Sequence, residues 1–250
     1  MTAPLLQVRG LCKAYGALIV TDAVDLDVAH GEIHALIGPN GAGKTTFIAL
    51  VAGEVAPDRG RILLGGADVT RHAVHRRAQA GLARSFQVTS VLPAFSAVEN
   101  VALAVQAAAR RSFRLLPAPG SDRVRRAHAV ELLAQVGLAA KADVPAGVLS
   151  HGEKRALELA MALAGKPRLL LLDEPMAGAG PEEGRAMVEL ISAARAQCGI
   201  LLVEHDMEAV FKLADRVSVL VAGRLLASGP PDAVRADPAV QAAYLGEAAT

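Results

Sequence analysis

Cysteine is scarce: Cys12 and Cys198 are the only two in 250 residues, and neither has partners at a metal-ligand spacing. That excludes a disulfide framework and makes each a candidate small buried hydrophobe in a reducing compartment. An excess of one charge is also missing, since 26 Lys plus Arg against 25 Asp plus Glu leave a net +1. Such a balance offers no uniformly basic surface to nucleic acid. Lysine itself is rare, 6 against 20 arginines, and alanine is about a fifth of the chain, a skew we read as genomic base composition. No apolar run is long enough to span a bilayer, and Leu169-Leu170-Leu171-Leu172 is far too short and ends on two carboxylates. Met1 to Leu11 lacks the basic start, apolar run and small-residue cleavage site of a signal peptide, so a soluble protein is expected. Apolar residues are plentiful, 52% against 20% charged, enough for a buried core and incompatible with disorder. The length fits one large domain or two small ones.

Apolar runs of strand length alternate with longer helical patterns, which points to a βαβ chain. Candidate strands are Leu5–Val8, Val24–Val28, Glu32–Ile37 and Arg61–Leu64, and a helix from Lys44 to Ala52 is expected to end on Gly53. The middle third changes character. A helix is expected over Val98–Ala109, then a loop or irregular insert over Arg110–Gly120. A second helix follows over Asp122–Val136 with Val124, Ala127, Leu132 and Val136 on one face. The final third returns to α/β, with strands at Arg168–Leu172, Ile200–Val203 and Val217–Val221. Its helices are expected at Pro181–Gln197 and Met207–Leu213, and two short ones at Pro231–Leu245 split by Pro238. The expected fold is a parallel α/β core interrupted by a mostly helical block near residues 85–165.

Gly38-Pro39-Asn40-Gly41-Ala42-Gly43-Lys44-Thr45 fits the phosphate-loop pattern of Gly, four residues, Gly, Lys and Ser or Thr. Glycines let backbone N–H groups curl around phosphate oxygens, and the helix that follows adds the positive end of its dipole. Lys44 would reach the β and γ phosphates and the Thr45 hydroxyl would ligate Mg²⁺. Chance matches in a chain of this composition number about 0.003, and the strand before and helix after are both expected, so a fortuitous glycine turn is a poor explanation.

Leu169–Leu172 then delivers Asp173 and Glu174 at the C-terminal end of a buried strand, where open α/β sheets bind ligands. Asp173 would bind Mg²⁺ through water and Glu174 would orient and polarise the attacking water. Alone, a solvated acidic turn before Pro175 would compete with that reading; beside a phosphate loop it does not.

With these residues in place the chain resembles the ATPase subunit of an ABC transporter over essentially its whole length. Leu149-Ser150-His151-Gly152-Glu153 stands where that family has its signature motif, on a loop leading into a helix. The resemblance implies that Ser150, Gly152 and Glu153 contact ATP held by a second subunit, Ser150 and Gly152 gripping its γ-phosphate. An ordinary N-cap at Ser150 with Glu153 three residues on, a capping box, is compatible with that role. The resemblance also extends the nucleotide contacts to Thr46 and assigns three single residues. Tyr15, in Lys13-Ala14-Tyr15-Gly16, would stack on adenine, against a core tyrosine as the alternative. Gln87, after Arg84-Ser85-Phe86, would touch Mg²⁺ and the attacking water, against a surface glutamine. His205, in Val203-Glu204-His205-Asp206, would contact the γ-phosphate from a strand end, against a structural histidine.

The resemblance implies a P-loop NTPase core with a mainly parallel sheet over residues 1–86 and 166–250. It adds an N-terminal antiparallel β part and a helical subdomain over 88–165. It implies ATP and Mg²⁺ as cofactors and a second ATPase subunit, identical or paralogous. It further implies transmembrane permease subunits, a periplasmic binding protein acting through them, no nucleic acid, and a place on the cytoplasmic face of the inner membrane. Two departures stand out: Glu153-Lys154 where many members have Gln, and Gly180 where an Asp usually contacts the partner. Gly81–Gln87, Val98–Val101, Val203–Met207 and Ala243–Gly246 are similar to ATPases of branched-chain amino-acid importers, and the Val105–Val124 insert to the longer of that system's two ATPases. Amide or urea importers and the lipopolysaccharide-export ATPase share parts of these strings. A DNA-repair or translation ATPase would carry a second ATP domain, zinc modules or a coiled coil, and a P-loop small-molecule kinase would lack Leu149–Glu153 and His205. Val88, Val91, Leu92, Phe95 and Val98 form an apolar stretch where the family receives its membrane subunit. Phe95 is expected at that interface, and Phe86 equally well in the core.

Overall fold

The structure, a computed structural model, describes residues 4–85, 91–109 and 121–245. The chain divides into two compact units. The first comprises residues 1–84, 168–174 and 195–250; the second comprises 85–167 and 175–194.

The first unit holds two sheets. β1 (Leu6–Tyr15), β2 (Leu18–Val28), β4 (Arg59–Leu64) and β5 (Ala67–Asp68) form an antiparallel sheet in the order β2-β1-β4-β5. The other runs β10-β9-β3-β8-β7-β6, made of β3 (Ile33–Ile37), β6 (Leu82–Arg84), β7 (Leu169–Asp173), β8 (Gly199–Val203), β9 (Arg216–Val221) and β10 (Arg224–Gly229). Its strands are parallel except for the β9–β10 hairpin. Every residue of β3, β7 and β8 is buried, as continuous apolar runs in a parallel sheet covered on both faces require. Alternate side chains take opposite faces. Leu36 packs with Leu6, Val8, Phe47, Ile48, Ile62, Leu171 and Leu201, around α1 (Lys44–Ala52) and the antiparallel sheet. Ala35 and Ile37 face Val210 of α7 (Met207–Leu213), Val217, Val219, Val234 of α8 (Pro231–Arg235) and Val240 of α9 (Pro238–Leu245).

The second unit contains α3 (Ala97–Ala108), α4 (Ser121–Gln135), α5 (His151–Leu163) and α6 (Pro181–Ala194). α3 and α5 each open on a serine N-cap with a glutamate three residues on, Ser96 with Glu99 and Ser150 with Glu153, and both capping boxes are complete.

Several expectations need correction. Residues 175–194 belong with the second unit, not with a core spanning all of 166–250, and Gly152 of α5 is hydrogen-bonded to Glu183 of α6. The inward face of α4 is Ala129, Leu132 and Leu133, continued by Val136 just past its end, whereas Val124 is 71% exposed and Ala127 is exposed. The first two strands run further toward each other than Leu5–Val8 and Val24–Val28, because their cross-strand pairing continues to Tyr15 and Leu18. β10, β5, β6 and α2 (Val74–Gln79) were not foreseen; each is short or an edge element with weak periodicity. α6 stops at Ala194, before Gln197. Cys198 is buried, but Cys12 is only half-buried. Arg110–Gly120 falls outside the described residues.

Candidate functional site

Because β3, β8, β7 and β6 run parallel and in register, their C-terminal ends share one edge of the sheet. Leu36 pairs with Val203 and Val203 with Asp173, so the loop after β3, the β7 carboxylates and His205 emerge together. This is the edge where open parallel sheets carry ligands.

The glycine loop is shaped by its neighbours. Gly38 has φ +152°, and a Cβ there would stand 2.0 Å from the Leu220 carbonyl oxygen. Gly43, at φ +104°, would place one 2.3 Å from the Val20 oxygen. Side chains are excluded at both, so the loop backbone stays bare for a phosphate to approach. Gly223 N–H donates to the Ala42 carbonyl at 3.0 Å and pins the loop from the β9–β10 turn. α1 starts at Lys44 with no side-chain cap and no acidic residue in its first turn, so the helix brings no anion of its own to the positive end of its dipole. Lys44 is buried, its Nζ donating to the Gly38 carbonyl at 2.5 Å and the Pro39 carbonyl at 3.0 Å. Asn40, Gly41 and Thr45 are exposed, Pro39 and Thr46 half-buried, and Ala42 buried.

Asp173 ends β7 with its side chain fully buried. Arg84 Nη2 donates to its Oδ2 at 3.0 Å, while Oδ1 is buried with no partner among the described residues. Burial pushes the Asp173 carboxyl above its ordinary range, and Arg84 opposes that shift. A buried orphan carboxylate oxygen beside a phosphate loop fits a Mg²⁺ ion, which takes few protein ligands and completes its shell with water and phosphate oxygens. The described residues hold no cluster of three His, Cys, Asp or Glu that could cage a metal unaided.

Glu174 follows at φ +51°, a left-handed conformation unusual for a side-chain-bearing residue, held by its N–H on the Val203 carbonyl at 2.8 Å. Such strained residues cluster at functional sites. Its side chain is 31% exposed, with Oε1 3.9 Å from Nδ1 of His205, which is 65% exposed at the end of β8. Glu204 is 1% exposed and accepts the His205 N–H at 3.0 Å, fixing the turn that presents the imidazole. His205 is therefore not a core histidine.

Tyr15 is 51% exposed, so it does not serve the core. The Lys13 ammonium lies 5.4 Å from the ring centroid. Tyr15 pairs with Leu18, two residues along β2 from Val20, whose carbonyl stands against Gly43 of the phosphate loop.

In the second unit Ser150 caps α5: its Oγ accepts the Glu153 N–H at 3.2 Å, and its own N–H donates to Glu153 Oε2 at 3.0 Å. Lys141 pairs with the other Glu153 oxygen and, with the Ser150 N–H, holds this carboxyl below its ordinary range. The Gly152 N–H donates to Glu183 Oε1 at 3.2 Å. Gln87 lies outside the described residues. Arg84, Glu54 and Glu183 carry no role in the sequence reading. The one signal available for Arg84 is a cation at the end of a strand whose neighbour ends in an acid.

A family profile described as "ABC transporter" matches residues 21–177, and one described as "Branched-chain amino acid ATP-binding cassette transporter" matches residues 224–250. The high-affinity branched-chain amino acid transport ATP-binding protein BraF of Pseudomonas aeruginosa is 36% identical, covering 99% of this chain and all of that protein. The lipopolysaccharide export system ATP-binding protein LptB of Acidithiobacillus ferridurans is 39% identical, with 97% of each chain covered. Among solved structures, the ADP conformation of an ATP-binding cassette of an ABC transporter superposes with a TM-score of 0.85 at 25% identity, covering 98% of this chain and all of that one. The chain belongs to the ATP-binding subunits of ABC transporters. It is an ATP-hydrolysing transport subunit.

Proposed function

We propose that the chain drives import of branched-chain amino acids. The observation that carries this reading is the profile match over residues 224–250, a segment that holds none of the candidate nucleotide-site residues, together with full-length similarity to BraF. Lys44 and the loop N–H groups from Gly38 to Thr46 would bind the β and γ phosphates, and Tyr15 would stack on adenine. Thr45, Asp173 and Gln87 would hold Mg²⁺, which supplies charge neutralisation at the phosphates. Glu174 would accept a proton from the attacking water and His205 would steady the γ-phosphate. Ser150, Gly152 and Glu153 would complete the site of a second subunit, identical or a shorter paralogue. For Gly152 to do so its N–H must exchange the Glu183 carboxylate for phosphate.

Permease subunits would dock on the second unit around Leu92 and Phe95, which are 46% and 42% exposed. A periplasmic binding protein would act through those subunits. Among the described residues no helix is long and apolar enough to cross a membrane. As a partner of permease subunits, and by its likeness to the transport ATP-binding protein BraF, the chain would work peripherally, on the cytoplasmic face of the inner membrane. A second reading, lipopolysaccharide export, is favoured by the 39% identity to LptB.

Purifying the intact complex with its membrane subunits and measuring ATP-driven leucine uptake into proteoliposomes separates the two. Uptake is expected. A complex that fails to move leucine but hydrolyses ATP faster with lipopolysaccharide supports the export reading instead.

A further inference from the structure

Arg84 ends β6, the strand parallel to β7, with Arg84 opposite Leu171. Its side chain is 12% exposed and lies between two carboxylates: Nη2 on Asp173 Oδ2 at 3.0 Å, Nη1 on Glu54 Oε2 at 2.5 Å. A guanidinium is planar and its donors have a fixed fork geometry, so a partner on each side leaves it little freedom to turn. Asp173, gripped through Oδ2 alone, has its carboxylate torsion set, and the oxygen left without a partner among the described residues is Oδ1. An aspartate χ2 is otherwise a broad, two-fold torsion that exchanges its oxygens.

The charges matter as much as the geometry. An isolated Arg–Asp pair is neutral and a poor ligand for a divalent cation. Glu54, 37% exposed, adds a second carboxylate, so the Glu54–Arg84–Asp173 chain carries a net −1. The arginine can thus orient Asp173 without cancelling its attraction for a cation.

We infer that Arg84 is a positioning residue for the metal site: with Glu54 behind it, it fixes Asp173 so that Oδ1 is presented to the Mg²⁺ that accompanies ATP. This rests on the reading of Asp173 as a metal-site carboxylate, and the test separates the two claims.

Mn²⁺ titrated into the full-length protein with a non-hydrolysable ATP analogue, followed by electron paramagnetic resonance, reads metal affinity without turnover. Asp173→Asn tests the underlying reading; an unchanged Mn²⁺ Kd there removes the metal site itself. With that variant weakened, Arg84→Gln should raise the Mn²⁺ Kd about tenfold while analogue binding in EDTA stays as in the wild type. Arg84→Lys, which can still hold Asp173 by one bond, should recover part of the loss. Combining Arg84→Gln with Asp173→Asn should cost no more than Asp173→Asn alone, since both act through one carboxylate. Glu54→Gln, at a half-exposed side chain, should raise the Mn²⁺ Kd about threefold and decides the matter should Arg84→Gln fail to fold. An arginine that merely braces the strand would lower thermal stability and leave every Mn²⁺ Kd as in the wild type; that result, or a lower Mn²⁺ Kd in Arg84→Gln because the site has lost a positive charge, overturns the proposal.

Discussion

The Lys44 ammonium donates to the Gly38 carbonyl at 2.5 Å and to the Pro39 carbonyl at 3.0 Å, so the residue expected to meet phosphate also ties the loop to itself. Its charge is held at the head of α1, whose first turn has no acid.

Replacing Lys44 with Ala therefore removes two things, the cation facing the β and γ phosphates and the brace across the loop. A charge-assisted hydrogen bond contributes about 1.5–3 kcal/mol, so ATP affinity should fall by about 10- to 100-fold and turnover should collapse with it. Isothermal titration with ATP measures the first and phosphate release the second. Wild-type affinity in Lys44→Ala would remove the assignment of this loop.

Glu174 stands in a left-handed conformation fixed by the Val203 carbonyl, and Gln fills the same space with the same backbone demand. Glu174→Gln should bind ATP as the wild type does while hydrolysis drops by about 10²- to 10⁴-fold, the usual contribution of a positioned acid or base. Dimers with trapped ATP should then appear on size-exclusion chromatography. Near-normal phosphate release would show that another group takes the proton.

The candidate site residues whose surroundings are most legible in the sequence are those whose local structure depends on spacing along the chain. Gly38–Thr45 had to follow a strand and open a helix, and α1 begins at Lys44 and ends at Gly53 as that spacing requires. Ser150 and Glu153, three apart, form the capping box that such a pair predicts. Arg84 could not be found that way, because its partners are remote in sequence: Asp173 meets it through sheet order, and Glu54 comes from the turn after α1. The same holds for Arg77, 1% exposed, whose guanidinium donates to the carbonyls of Leu50, Val51, Thr70 and His72 and closes the C-terminal end of α1. Periodicity misplaced the inner face of α4 because small residues such as Ala127 satisfy a helical stripe without being buried.

His34 is a buried histidine that the nucleotide chemistry does not use. Its ring nitrogens engage the Asp27 carbonyl at 2.7 Å and the Ser218 hydroxyl at 2.8 Å, with Glu32 and Arg216 nearby. Burial lowers its pKa from 6.5 to about 4. Below pH 6.5 the unfolded chain takes up a proton that the folded chain refuses, so stability falls with pH from about 6.5 and levels off near 4. The slope from one such group is at most about 1.4 kcal/mol per pH unit, and the total about 3 kcal/mol. Urea unfolding at pH 7.5, 6.0 and 5.0 should show this loss, and His34→Gln should reduce the dependence by one proton. An identical pH dependence in His34→Gln would assign the effect to other groups.

Phe95 is 42% exposed, yet the backbone beneath it is firmly held. Its carbonyl accepts the Ala146 N–H at 2.8 Å, the Pro93 carbonyl accepts the Gly147 N–H at 2.9 Å, and the fully buried Asn100 amide donates to the carbonyls of Leu92, Phe95 and Ser96. None of these bonds needs the aromatic ring, so Phe95→Ala should keep the loop in place and change stability by no more than about 0.5–1 kcal/mol, as at other exposed positions. ATP hydrolysis by the isolated subunit should stay near normal. What the substitution removes is an exposed aromatic on a rigid loop, the kind of side chain that anchors protein interfaces. Recovery of the permease subunits in a pull-down should therefore fall several-fold, and transport with it. A variant that melts several degrees lower but, once folded, assembles with the permease as the wild type does would make Phe95 a packing residue, and the docking surface would have to be sought elsewhere on the second unit.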